Sequence, residues 1–344
     1  MNRSQQAHQP NDSRCFRPGQ VWLDTAGKPI NAHGGGMLHH EGVYYWYGEQ
    51  RPEGPSSLNA EIGISVYSSR DLLTWQFERT ALPVNREDPA SPLVPGCKME
   101  RPKVVYNART RQFVMWWHHD LKGWGHHGAF AGVAVSDSPA GPFTLVKVFR
   151  PGYIMFRDCT VFQDDDGSAH LVFATDDNAN LAMVRLTDDY LEPTSNILRQ
   201  FCGRYMEAPC VFKYDGRYGF IGSDCTGWAP NEARSAVAPA LAGPWRECGN
   251  PCLGEGAEIA YGTQSTFVLP VAGKPGAFIL MADQWRPDNL ADSRYVWLPM
   301  FFKTTVLNQP PRPFVRWVDK WDLTIFDQPP YAGGEQPVYQ KEHE

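Results

Sequence analysis

The chain has 344 residues, 42% of them hydrophobic and 20% charged, which is the balance of a folded globular protein and excludes a disordered one. Its 38 acidic against 32 basic residues leave a net charge of −6 without a basic run, so the electrostatic footprint of a nucleic-acid-binding protein is missing and an uncharged partner is expected. No segment approaches the ~18 consecutive apolar residues of a membrane helix, so no membrane partner is expected either.

Taken in chain order, residues 1–14 (MNRSQQAHQPNDSR) are polar and lack the apolar centre of a secretory signal, so a disordered tail is expected there. As it stands the sequence points to the cytoplasm, with a secreted or periplasmic location if a signal has been removed; the scattered cysteines read as free thiols. QVWLD (20–24) reads as a strand, and VRWVDKWDL (315–323) offers an apolar counterpart that would help close the fold. Between them one phrase recurs five times: a polar residue, a short apolar run, a turn and an alternating strand. Its copies start at Asn31-Ala32-His33, Glu100, Asp158, Glu207 and Gln264. The first four hairpins are each followed by a further strand phrase, at 61–75, 128–143, 181–193 and 234–245, and the SPAGPF and ALAGPW turns place an aromatic at equivalent points. Such a repeat predicts an all-β, five-bladed β-propeller over 15–327, followed by a C-terminal tail at 328–344.

In a propeller the innermost strand of each blade runs along the central axis, so residues at one phase of the repeat converge on one end of one funnel. Glu100, Asp158, Glu207 and Gln264 are therefore the candidate catalytic residues, with Asn31 and His33 bordering them. Three carboxyls in one pocket cannot all ionise freely, which is how one becomes an acid while its neighbour stays charged. Trp117, Trp124, Trp228 and Trp285 lie at strand ends or in the following loops, where rings could stack on the C–H faces of a sugar. Asp164, Asp165 and Asp166 read as a hairpin turn, and Gly34–Gly36 as close backbone approach, since no helix follows to cradle a phosphate. The doublets His39/His40, His118/His119 and His126/His127 point their rings to opposite sides of a strand and make poor chelates, so no metal and no cofactor is expected.

INAHGGG, MERPKVVYN, FRDCTVFQDDDGSAHLV, MEAPCVFK, GSDCTGWAPN and GTQSTFVLP, in this order, resemble glycoside hydrolase family 43, in the branch of exo-β-1,3-galactanases and related bacterial galactosidases. The resemblance runs from about Phe16 to Phe326. It implies a five-bladed propeller and inverting hydrolysis of an oligosaccharide or polysaccharide, with terminal galactose released from β-1,3-galactan or arabinogalactan side chains. It gives Glu207 the role of general acid and Asp158 that of orienting and tuning it. Most of the wider family begins blade one with an Asp base, where this chain has Asn31-Ala32-His33. In the galactanase branch the residue matching Gln264 is proposed to act through its imidic-acid tautomer; Glu100 is the alternative base. An α-L-arabinofuranosidase, or a sugar-binding propeller without catalysis, are the rival expectations.

Overall fold

The computed structural model describes residues 14–54, 59–304 and 309–327; the tails expected at 1–14 and 328–344, Arg14 apart, lie outside the described residues. Five small antiparallel sheets follow one another along the chain. Blade one holds β1 (His33–His40), β2 (Val43–Gln50), β3 (Gly63–Ser69) and β4 (Gln76–Pro83). Blade two holds β5 (Lys98–Asn107), β6 (Gln112–Asp120), β7 (Phe130–Ser136) and β8 (Thr144–Phe149). Blade three is β9 (Cys159–Gln163), β10 (Ala169–Thr175), β11 (Asn180–Arg185) and β12 (Leu198–Gln200). Blade four is β13 (Met206–Tyr214), β14 (Arg217–Asp224), β15 (Ala233–Ala238) and β16 (Arg246–Gly249). A short β17 (Cys252–Leu253) then adds, in parallel, to the outer edge of blade five, which is β18 (Gln264–Pro270), β19 (Phe278–Gln284), β20 (Arg294–Lys303) and β21 (Arg312–Arg316). The five repeat heads lie within, or directly before, the first three residues of β1, β5, β9, β13 and β18, and these inner strands touch one another in a closed ring.

Five apolar clusters fill the gaps between neighbouring blades, because a four-stranded sheet cannot bury both faces alone. The two Gly-Pro turns behave as their sequence suggests. Phe143 enters the cluster between blades one and two, and Trp245 packs against that between blades three and four.

The expected pairing of 20–24 with 315–323 is not observed. Residues 20–24 contribute only a bridge from Leu23 to Pro29, while 312–316 forms the outer strand of blade five. The ring is latched instead by Phe16 and Trp321, whose backbones exchange hydrogen bonds of 2.7 and 3.1 Å and whose rings stack at 4.2 Å. Trp22 joins this latch by packing on Trp46 and Trp297.

Trp117, expected to stack on a sugar, is fully buried between blades one and two, with its indole N–H donated to Nδ1 of His119. It lies flat over Gly132, where an added Cβ would come within 2.0 Å of the indole. Gly132→Ala is therefore expected to destabilise the protein by about 1–3 kcal/mol or more, as overpacking of a close-packed core does. A melting temperature equal to that of the parent chain would show that the ring has room to move.

Candidate active site

Four of the five inner strands carry a bulge just after their polar head: between His33 and Gly36, Glu100 and Lys103, Glu207 and Cys210, and Ser265 and Phe267. In three of them the residue after the head has left-handed backbone, at Gly34 (φ 59°), Arg101 (φ 56°) and Ala208 (φ 54°). Pro102 and Pro209 come next in two of these, where a missing N–H removes no ladder bond. The main consequence is register. Unbroken hairpins would set Gln50, His119, Asp224 and Gln284 opposite the heads; the bulges bring Glu49, His118, Ser223 and Asp283 there instead. All four are buried.

Four of the five heads converge. Glu100, Asp158, Glu207 and Gln264 line one cavity of about 630 Å³, with Trp228 and Trp285 on its wall. Glu207 Oε1 accepts a 2.7 Å hydrogen bond from Nδ2 of Asn178. Burial, and then the negative charge of Asp158, raise the Glu207 carboxyl to about 7, so it holds a proton near neutral pH. Asp158 Oδ2 accepts the N–H of Ala208 at 3.0 Å and lies 3.2 Å from the Arg101 guanidinium. Arg101 also donates to the Ser265 carbonyl at 2.8 Å and to Oε1 of Gln264. A second donor reaches the same oxygen, the indole N–H of Trp285 at 2.9 Å, and Gln264 Nε2 donates to Ser223 Oγ at 3.0 Å. Two obligate donors on one atom fix which end of the amide is oxygen.

Glu100 sits among cations. Its Oε1 is 3.5 Å from Arg51 and 3.7 Å from Lys98, while Oε2 is 3.4 Å from Nδ1 of His118 and 3.9 Å from Nδ1 of His126. Burial opposes its ionisation, but His118, Lys98 and His126 outweigh it and hold the carboxyl well below the usual range. Burial likewise opposes the charge on His118, yet Asp120 and Glu100 lift its imidazole to about 9. One cavity thus holds a carboxyl that keeps its proton, Glu207, and one held ionised, Glu100, the two environments that acid catalysis requires.

Several expected contacts are not made. His33 is fully buried, stacked on Tyr295 at 5.1 Å and 3.8 Å from Asp283, and burial with Arg51 lowers its imidazole to about 3. It lies outside the cavity lining and cannot touch a sugar. Asn31 exchanges hydrogen bonds with the backbone of Arg51, at 2.7 and 2.9 Å, and so holds a strand end rather than lining the cavity. Trp124 is exposed and packs at 6.0 Å on Phe130, also outside the cavity wall. Sequence reading missed Arg101, Asn178 and His118. It also missed that Glu100, His118 and His126 bring one donor atom each within 4.8 Å, a three-ligand grouping assembled from two different doublets.

The glycosyl hydrolases family 43 model matches residues 33–265. The chain belongs to this family. It is therefore a glycoside hydrolase, and solved structures of family members superpose on nearly all of it. A family 43 β-1,3-galactosidase with galactodeoxynojirimycin is 43% identical, over 89% of this chain and 100% of that one, with a TM-score of 0.84. The exo-β-1,3-galactanase of Phanerochaete chrysosporium with β-1,3-galactotriose is 32% identical, over 90% of this chain and 68% of that one (TM-score 0.79). The exo-β-1,3-galactanase of Clostridium thermocellum is 36% identical, over 89% and 66% (TM-score 0.79). No curated protein sequence matches the chain significantly.

Proposed function

We propose that this family 43 hydrolase removes terminal galactose from β-1,3-galactan or arabinogalactan side chains, working from the chain end and with inversion. The observation that carries the reading is the half-buried Glu207, protonated near neutral pH and facing the cavity that Glu100, Asp158 and Gln264 also line. The similarity to β-1,3-galactosidases and exo-β-1,3-galactanases supports the choice of sugar and linkage. Glu207 donates its proton to the leaving oxygen as the glycosidic bond breaks, and water attacks the anomeric carbon from the opposite side. Glu100 is a poor acceptor for the proton of that water, since Arg51, Lys98 and His118 favour its ionised form. Gln264 orients the water. Its oxygen is occupied by Arg101 and Trp285 and one N–H by Ser223, so the amide stays neutral and offers its second N–H to the water, whose proton passes on to solvent as the new bond forms.

The test is incubation with β-1,3-galactobiose and galactotriose beside aryl β-galactosides and aryl α-L-arabinofuranosides, with the first product followed by proton NMR. Galactose appearing first as the α-anomer is expected. The β-anomer appearing first would exclude inversion, release only from the arabinofuranoside would reassign the sugar, and no release from any of them would leave a binding propeller.

A further inference from the structure

Besides the acid and amide machinery, the cavity wall holds a cluster to which hydrolysis assigns no step. His118 lies opposite Glu100 on the neighbouring strand, and His126 reaches the same carboxylate from the loop between β6 and β7. We infer that Glu100, His118 and His126 form a binding site for a divalent transition-metal ion of the zinc class, and that an ion held there competes with the sugar. The competition rests on the reading of this cavity as the sugar site; the binding does not.

Geometry makes the first part of the case. Zinc bonded at ~2.0–2.1 Å to nitrogen and oxygen in a tetrahedron sets neighbouring donor atoms about 3.3 Å apart. His118 Nδ1 is already 3.4 Å from Glu100 Oε2. His126 Nδ1, at 3.9 Å from the same oxygen, belongs to the most exposed of the three side chains, which can close the remaining gap. The two oxygens of Glu100 divide the work: Oε1 faces Arg51 and Lys98, leaving Oε2 toward the imidazoles. Two imidazoles and one carboxylate suit zinc better than calcium or magnesium, which take oxygen ligands, and the fourth position would open on the cavity.

The surroundings make the second, independent part. His118 is 1% exposed, yet neither of its ring nitrogens has a hydrogen-bond partner of good geometry, and the same is true of Asp120 Oδ2. Buried polar groups rarely stay unsatisfied, because each costs about 1–3 kcal/mol. Asp120 Oδ2 stands 3.0 Å from Nε2 of His118 and 3.6 Å from Nδ1 of His126, and its Oδ1 is pinned by the Ala129 N–H at 2.6 Å. A carboxylate behind an imidazole that faces a metal is the arrangement that fixes the ring and raises its basicity as a ligand.

Isothermal titration of zinc chloride into the chelator-treated protein, in a non-coordinating buffer, decides the matter. One site per chain is expected. Its affinity should fall at least tenfold in His126→Gln, an exposed loop change that leaves the core intact, and by about 10–100-fold in Asp120→Asn, as loss of an outer-shell partner does. The double variant His39→Gln/His40→Gln, which alters a doublet at the far end of β1, should bind as the parent does. Saturating galactose should weaken zinc binding. Absence of a site, or affinity unchanged by His126→Gln, would overturn the metal site; zinc affinity indifferent to bound galactose would overturn the competition. Zinc binding is read without turnover, so a chain that hydrolysed none of the glycosides would still answer the first question.

Discussion

Glu207→Gln is expected to lower turnover on unactivated β-1,3-galacto-oligosaccharides by about 10²–10⁴-fold, the usual contribution of a general acid, while substrate still binds. Aryl galactosides with good leaving groups should suffer less, since they need less protonation. In the parent enzyme kcat/KM should fall as pH rises through about 7, where the Glu207 proton is lost. The same shift has a thermodynamic side. With a folded value of about 7 against an ordinary 4.5, Glu207 contributes stability that is fully present below pH 4.5 and lost as pH rises through 7. Above that point the half-buried ionised carboxylate works against folding by up to a few kcal/mol. The uncharged glutamine escapes this, so the melting temperature of the variant should gain on that of the parent between pH 5 and 8. A variant with near-normal turnover on galactobiose, or a stability difference that ignores pH, would remove Glu207 from its role.

Arg101→Met is expected to be as damaging by a different route. One guanidinium stands against Asp158 and donates to Gln264 Oε1 and the Ser265 carbonyl, all from a buried position. Removing one partner of a buried ion pair costs about 3–5 kcal/mol, and the cost here should approach that range from below, because the Asp158 side chain left without its countercharge is 17% exposed. Loss of the donor to Gln264 also frees the amide that orients the attacking water in the proposed mechanism, and positioning of that kind can be worth several kcal/mol in the barrier. Without the Arg101 charge, the Glu207 carboxyl should climb further and carry the alkaline limb of the rate profile upward as the rate falls. Arg101→Gly separates backbone from charge, since glycine accepts the φ of 56° without strain. Turnover retained in the glycine variant would make the guanidinium dispensable.

The blade heads were legible in the sequence because each stands at one phase of a repeat, and a propeller turns equal phase into equal depth on the axis. The residues around them were not, for a reason that Glu100 illustrates. Counting outward from the turn, where Asn107 faces Gln112, an unbroken hairpin opposes Glu100 with His119; the bulge substitutes His118 and changes which imidazole meets the carboxylate. The clue was present as a short residue-then-proline step after two of the heads, Arg101-Pro102 and Ala208-Pro209, but a bulge cannot be placed by alternation alone. Asn178 was hidden differently. It belongs to Asp176–Asn178, three successive residues with left-handed backbone, whose turn toward Glu207 exists only in three dimensions. Trp117 and Trp285 show the limit of reading aromatics from composition, since one fills the gap between blades and the other donates into the site.

The latch between Phe16 and Trp321 makes blade order in the chain separable from blade order in space. Among the described residues no sheet of this ring takes strands from both ends of the chain: each four-stranded blade is completed by consecutive segments, and β17 merely leans on blade five from the segment just before it. The described chain starts and finishes side by side, joined by two backbone hydrogen bonds and a stacked pair of rings. A circular permutant, with these neighbours linked and new ends opened in the connection between blades two and three, would break no strand pairing and would still bring every head to the axis. In this protein the funnel belongs to the circle of blades, and the point at which the polypeptide is cut is a matter of indifference to it.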